Sequence, residues 1–181
     1  MKIIIATPLY PPEIAEPAPY SANLAKILKN KNLEISIIAY SLIPEKINGV
    51  KIFSINKHLP LLIRLFLFTF KLLKNSKNID IIYALNGASV ELPILIVSKL
   101  TNKPFIINNI DKKTDLKIRQ NKLFKYIKYL TFKNAKKIIN EAPLSKPEIT
   151  LFDKKEQEII KYKKFWENHA NNLLKIFRDC R

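Results

Sequence analysis

Apolar positions along this chain come in short blocks. Aliphatic runs occur at Lys2–Thr7, Glu34–Tyr40, Val50–Ile55, Asp80–Ala84, Pro104–Asn108 and Lys137–Asn140. Runs this short, rich in isoleucine and ended by proline, glycine or asparagine, read as buried strands. Between them apolar residues recur at helical spacing. Leu24, Ile27 and Leu28 share a face within Pro17–Asn32, and Leu123, Ile127 and Leu130 do so within Leu116–Asn134. Leu59–Lys74 and Val90–Leu100 are further helices, and Pro17 and Pro19 suit a helix start. Strands alternating with helices, without hairpin turns, predict an α/β fold. The expected form is a single Rossmann-like three-layer domain with a mainly parallel sheet covered on both faces. Such sheets bind ligands at the carboxyl ends of their strands, so the informative loops follow Thr7, Ala84 and Asn108.

Beyond Asn140 the pattern changes. Pro143, Ser145 and Pro147 read as linker, and Lys154–Arg178 reads as one long polar helix. Its apolar stripe is Phe165, Trp166, His169, Leu173, Leu174 and Phe177. The expected division is 1–145 for the domain, 146–153 for the linker and 154–181 for the helix, packed back on the domain. Exposed, that stripe would be a liability; docked, it covers an apolar patch.

Composition narrows the picture. The 181 residues suit one domain plus an appendage, and a 48% hydrophobic content is that of a globular chain. Lys+Arg is 32 against 15 for Asp+Glu, a net charge of +17. One reading is attraction to an anionic partner such as acidic lipid, phosphorylated substrate or nucleic acid. The other is a lysine-rich surface that only solvates the molecule, and the spread of lysines along the whole chain is compatible with both. No nucleic-acid motif is present, and the aromatics occupy core-like positions, which argues against nucleic acid. The single cysteine, Cys180, excludes an internal disulfide and a cysteine metal site, and fits a reducing cytoplasm. No metal and no cofactor is called for. The amino terminus lacks the pattern of a signal peptide. Leu59–Leu73 is broken by Arg64 and Lys71, which excludes a transmembrane helix.

The first loop carries a family resemblance. Thr7-Pro8-Leu9-Tyr10-Pro11-Pro12-Glu13-Ile14-Ala15-Glu16-Pro17-Ala18-Pro19-Tyr20-Ser21, running into Asn23-Leu24-Ala25, resembles the opening of glycosyltransferase family 4, which has the GT-B fold. Asp80–Ala84 with Asn86-Gly87, Glu91-Leu92-Pro93, Lys103-Pro104-Phe105 and Phe132–Ile139 follow in that family's order. Phe165–Phe177 is similar to its last helix, which crosses back onto the amino-terminal lobe. The resemblance implies an acceptor-side lobe for sugar transfer from a nucleotide-sugar to a glycan or lipid-linked acceptor. It also implies that the donor-binding lobe comes from a partner chain, so that this chain is inactive alone. The alternative is a non-catalytic remnant or binding module of the same fold.

The resemblance places a ligand loop at Tyr10, Pro11, Pro12, Glu16, Tyr20, Asn86, Gly87 and Asn109, with Asp111 as the candidate catalytic residue. Asp111 reads equally as a carboxylate at a helix start. Where the family has a glycine pair, this chain has Ala15-Glu16, which sets a carboxylate beside any diphosphate. At a few ångströms that repulsion is on the order of 1–4 kcal/mol. Glu148 and Glu156 match the spacing of the family's donor-site glutamates but lack the intervening glycine. His58 and His169 read as structural. Leu59–Lys74 is apolar nearly all round. With Arg64, Phe66, Phe68, Lys71, Lys122 and Lys125 it suggests a face for an acidic membrane on the inner side of the cell. The competing reading is burial by the core and the final helix.

Overall fold

The computed structural model describes residues 1–110, 121–140 and 152–181, and the side chains of the last helix from 160 onward. In chain order the elements are β1 (Lys2–Thr7), α1 (Pro17–Asn30), β2 (Glu34–Tyr40), β3 (Lys51–Ile55), α2 (Leu61–Ser76), β4 (Ile81–Leu85), α3 (Ala88–Thr101), β5 (Phe105–Asn108), α4 (Lys122–Asn134), β6 (Lys137–Ile139) and α5 (Phe152–Asp179). The strands form one six-stranded sheet in the order β3-β2-β1-β4-β5-β6. Every pairing is parallel; Ile5, for example, stands between Ile37 and Tyr83. The α/β fold expected from the sequence is the fold observed.

Alternation along each strand divides the core in two. Ile3, Ile5, Ile35, Ile37, Ile81, Tyr83 and Ile106 face one side, where α1 and α5 cover them. Ile4, Ala6, Ile38, Tyr40, Ile82, Ala84 and Ile107 face the other. That side is closed by Phe68 and Leu72 of α2 and by Val90, Ile94 and Val97 of α3. Helix α3 lies between α2 and α4 in this second layer.

Local chemistry sets the helix ends. Asn121 caps α4, its Oδ1 accepting from the backbone N–H of Leu123 at 2.9 Å and of Phe124 at 3.3 Å. Asn102, at φ 54°, closes α3 in the left-handed conformation that asparagine tolerates. Pro93 sits inside α3 and lacks the N–H that would bond the Ser89 carbonyl. Tyr40 supplies the missing donor from β2, its hydroxyl lying 3.0 Å from Ser89 O.

Helix α5 returns across α1, burying Trp166, Ala170, Leu173 and Phe177 along one face. Phe177 meets Tyr83 edge-on at 5.5 Å, and Trp166 lies 5.4 Å from Tyr20. Asp80 ties down both terminal regions. It accepts from the Lys2 backbone N–H at 2.8 Å and pairs with Arg181 at 3.2 Å. This corner is at the amino edge of the sheet.

Element boundaries differ from expectation where prolines act. Helix α2 starts at Leu61 because Pro60 precedes it, and α3 starts at Ala88 and runs through Pro93. Helix α5 begins at Phe152, inside the expected linker. Residues 111–120 and 141–151, which hold the expected start of α4 and the rest of the linker, lie outside the described residues. Among the described residues no helix is long and apolar enough to cross a membrane.

Candidate functional site at the carboxyl edge of the sheet

Chain direction along the sheet reverses between β1 and β4, so the loops after these strands part there. They meet through Pro8 and Gly87. A Cβ built on Gly87 would lie 3.1 Å from Pro8 Cβ and 3.2 Å from Pro8 Cγ, so the close approach itself calls for glycine. Asn86 joins the third loop. Its backbone N–H donates to Asn108 O at 3.0 Å, and its Oδ1 accepts from Ile110 N at 3.0 Å.

The first loop is knit to its neighbours. Thr7 Oγ1 donates to Leu9 O at 2.7 Å, and Pro11 O accepts from Glu45 N at 3.2 Å. Glu13 pairs with Lys57. The Pro11–Pro12 bond is cis. Tyr10 turns inward and is fully buried, and its hydroxyl has no partner among the described residues. Burial pushes its phenol well above the usual tyrosine range, and the Glu45 carboxylate adds to this. Pro12, Ala15 and Glu16 face solvent.

Beneath the loops lies a buried polar cluster. Tyr20 Oη is 2.6 Å from Tyr83 Oη and 2.6 Å from His169 Nε2. Asn108 Nδ2 donates to both hydroxyls, at 3.0 and 2.9 Å. The cluster joins α1, β4, β5 and α5, so the returning helix reaches the sheet directly under the site.

The start of α1 decides what this edge can hold. Helix N-termini favour anions because their first N–H groups lack partners. Here Pro17 and Pro19 remove two of those donors. Ala18 N is used on Ala15 O at 2.9 Å, and Tyr20 N points to Glu16 O at 3.3 Å. The Glu16 carboxylate stands at the cap. This helix end therefore disfavours a diphosphate on two counts, fewer donors and a like charge.

The structure sorts the expected site residues. Tyr10, Pro11, Pro12 and Glu16 lie on the first loop, and Asn86, Gly87 and Asn109 on the loops after β4 and β5. Asn109 Nδ2 lies 3.4 Å from Asn140 Oδ1. Tyr20 was expected on the ligand loop, but it sits in the buried cluster. Asp111 lies outside the described residues, as does Glu148. Phe68 was expected to face a membrane, but it is wholly buried against Tyr40 at 5.1 Å, because its position on α2 points to the sheet. Arg64 and Lys71 are half-buried and turned inward. Arg64 Nη1 donates to Lys57 O at 3.0 Å with its guanidinium 5.5 Å from the Tyr40 ring centre, and Lys71 Nζ donates to Ser54 O at 2.5 Å. Phe66, Lys122 and Lys125 are exposed. Sequence reasoning missed the cluster of Tyr20, Tyr83, Asn108 and His169, since its members are far apart in the chain. It also read Pro17 and Pro19 only as a helix start, although two prolines in one first turn already signal lost donors.

A cleft of about 620 Å³ at the opposite edge is lined by Lys99, Lys103, Lys136 and Arg181. The carboxyl ends of α3, α4 and α5 converge there, and their negative ends account for the lysines.

No protein-family model matches the chain, and no curated protein matches it in sequence. Solved structures do. The crystal structure of Anabaena Alr3699/HepE in complex with UDP aligns with a TM-score of 0.51 and 16% identity, over 90% of this chain and 41% of that one. An alpha-glucosyltransferase in complex with UDP and a 13-mer DNA containing a central A:G mismatch aligns at 0.49 and 13%, over 76% and 36%. The DNA/pantothenate metabolism flavoprotein from Streptococcus pneumoniae aligns at 0.45 and 13%, over 93% and 99%. The chain spans about two fifths of the length of HepE. At 16% identity the likeness to HepE is one of fold, a six-stranded parallel α/β domain.

Proposed function

We propose that this domain is the acceptor-side lobe of a GT-B glycosyltransferase of family 4 type, acting with a second lobe that grips the nucleotide-sugar. The observation that carries the reading is the start of α1 at the switch point of the sheet, where prolines and a carboxylate replace the N–H groups that would hold a diphosphate. Asn109 is the part-exposed member of the expected loop set there, above buried Tyr10, Asn86 and Gly87, while Pro17, Pro19 and the Glu16 carboxylate disfavour a diphosphate at the helix start. A lobe built this way offers an acceptor surface and leaves the donor to its partner. The order of sequence pieces shared with family 4 and the fold shared with UDP-bound HepE support it. The acceptor is a glycan or a lipid-linked sugar, and Asp111 is the proposed catalytic residue.

Titration calorimetry with UDP on this domain tests the first half: no heat of binding is expected at millimolar ligand. Tight UDP binding by the domain alone would overturn the division of labour. Co-purification from the native source tests the second half by showing whether a donor lobe accompanies it. Sugar transfer that appears only with that lobe, and is lost in Asp111→Asn, is the expected result.

The α1 start also favours one other reading, a binding module that keeps the fold without transfer. The two part on a reconstituted assay. Replacing Ala15 and Glu16 by glycine and both Pro17 and Pro19 by serine restores donors to the loop. Under the transferase reading this changes the donor affinity of the assembled pair; under the module reading no transfer appears with any variant.

A further inference from the structure

Helix α2 shows two different sides. Phe68 and Leu72 lie in the core, while Leu62, Phe66 and Phe70 follow one another at successive turns on the outside. Phe66 and Phe70 are 68% and 56% exposed, with their rings stacked 6.4 Å apart. Leu61 and Ile63 flank the row. The final helix does not cover it, because α5 packs with α1 on the opposite face of the sheet. The same outer layer continues through α3, with Ile96 and Leu100, to α4, with Leu123, Tyr126 and Tyr129. Isolated exposed apolar residues need no explanation, but a run of them across neighbouring helices marks a contact surface.

Charge on this layer has a single sign. Neither α2 nor α4 contains an aspartate or glutamate, and the one acid of α3, Glu91, is fully buried. Lys74, Lys99, Lys122, Lys125 and Lys133 are all exposed there. A second copy of this chain would bring lysines against lysines. Nucleic acid would suit the lysines but leave Leu61, Leu62 and Ile63 in water. A bilayer containing acidic lipid answers both features: the phenylalanines and leucines enter the acyl boundary, the tyrosines sit at headgroup depth, and the lysines meet phosphates.

We propose that the outer face of α2, α3 and α4 docks on an anionic bilayer, with Leu62, Phe66 and Phe70 as the inserted row. This surface is independent of sugar transfer, so it stands or falls without the preceding reading. The test is co-sedimentation of the protein with vesicles of phosphatidylcholine, alone or mixed with phosphatidylglycerol, over a range of salt. Binding is expected on the mixed vesicles only, weakening as salt rises. Phe66→Ser with Phe70→Ser should weaken it at least about tenfold. Each of Lys122→Glu and Lys125→Glu should cost about fivefold or more. These side chains are exposed, so the fluorescence of buried Trp166 should not move and the thermal midpoint should not fall, which separates lost binding from lost folding. Equal binding to both vesicle types, or to neither, would overturn the proposal. So would a salt-sensitive complex with single-stranded RNA, or a dimer by light scattering, that the paired serine variant abolishes.

Discussion

At the scale of single residues, two buried tyrosines have opposite consequences. Tyr40 donates to a carbonyl that Pro93 has left without its helical partner. Tyr40→Phe strands that carbonyl and should cost about 1–3 kcal/mol in urea unfolding. The cost should shrink in a Pro93→Ala background, where the helix regains its own N–H. Tyr10 has a buried hydroxyl without a partner among the described residues, so Tyr10→Phe should be neutral or raise stability by about 1 kcal/mol. Both phenols also set the alkaline limit. Burial raises Tyr40 to about 12, against the softer pull of the Arg64 guanidinium. The unfolded phenol titrates near about 10. The neutral form is the one the fold keeps, so this contribution is complete below about pH 10 and lost between about 10 and 12, for a total of about 2–3 kcal/mol. Unfolding midpoints measured across that range should fall, and less steeply in Tyr10→Phe.

Among elements, the returning helix matters most. Trp166, Leu173 and Phe177 close the first core and bring His169 onto the polar cluster. Phe177→Ala empties a fully buried site against Tyr83 and should cost about 3–5 kcal/mol, read from denaturant unfolding followed by Trp166 emission. A cost below about 1 kcal/mol would mean that the helix docks only loosely. Much of this architecture was legible in the chain. Isoleucine runs such as Ile3–Ile5 and Ile35–Ile38 mark strands buried on both faces, since only parallel sheets need that pattern. The stripe from Trp166 to Phe177 announced a docked helix. The candidate site was less legible. Its loops could be placed from strand order, but Tyr20, Tyr83, Asn108 and His169 meet only through tertiary packing, and no spacing along the chain encodes that. The inward turn of Phe68, Arg64 and Lys71 was hidden for a related reason. When nearly every position on α2 is apolar, periodicity cannot say which side faces the sheet.

For the molecule as a whole, like charge dominates. With a net charge of +17, and with the ion pairs Lys2–Glu34 and Lys26–Glu45 exposed, self-repulsion outweighs what these contacts return. Added sodium chloride should therefore raise the thermal midpoint, because screening relieves repulsion over a Debye length of about 10 Å at 0.1 M. A midpoint that falls with salt would show that local pairs outweigh the net charge.

The corner at Asp80 has a practical outcome. Because the Lys2 backbone and Arg181 both reach one carboxylate, a fusion tag or tether attached at either end projects from the amino edge, away from the loops after β1, β4 and β5. Immobilising the protein on a sensor chip through either end should leave the loops at the carboxyl edge equally accessible, and a short peptide spliced between the two ends should yield a circular permutant that can be reopened at the solvent-facing Asn48-Gly49 turn.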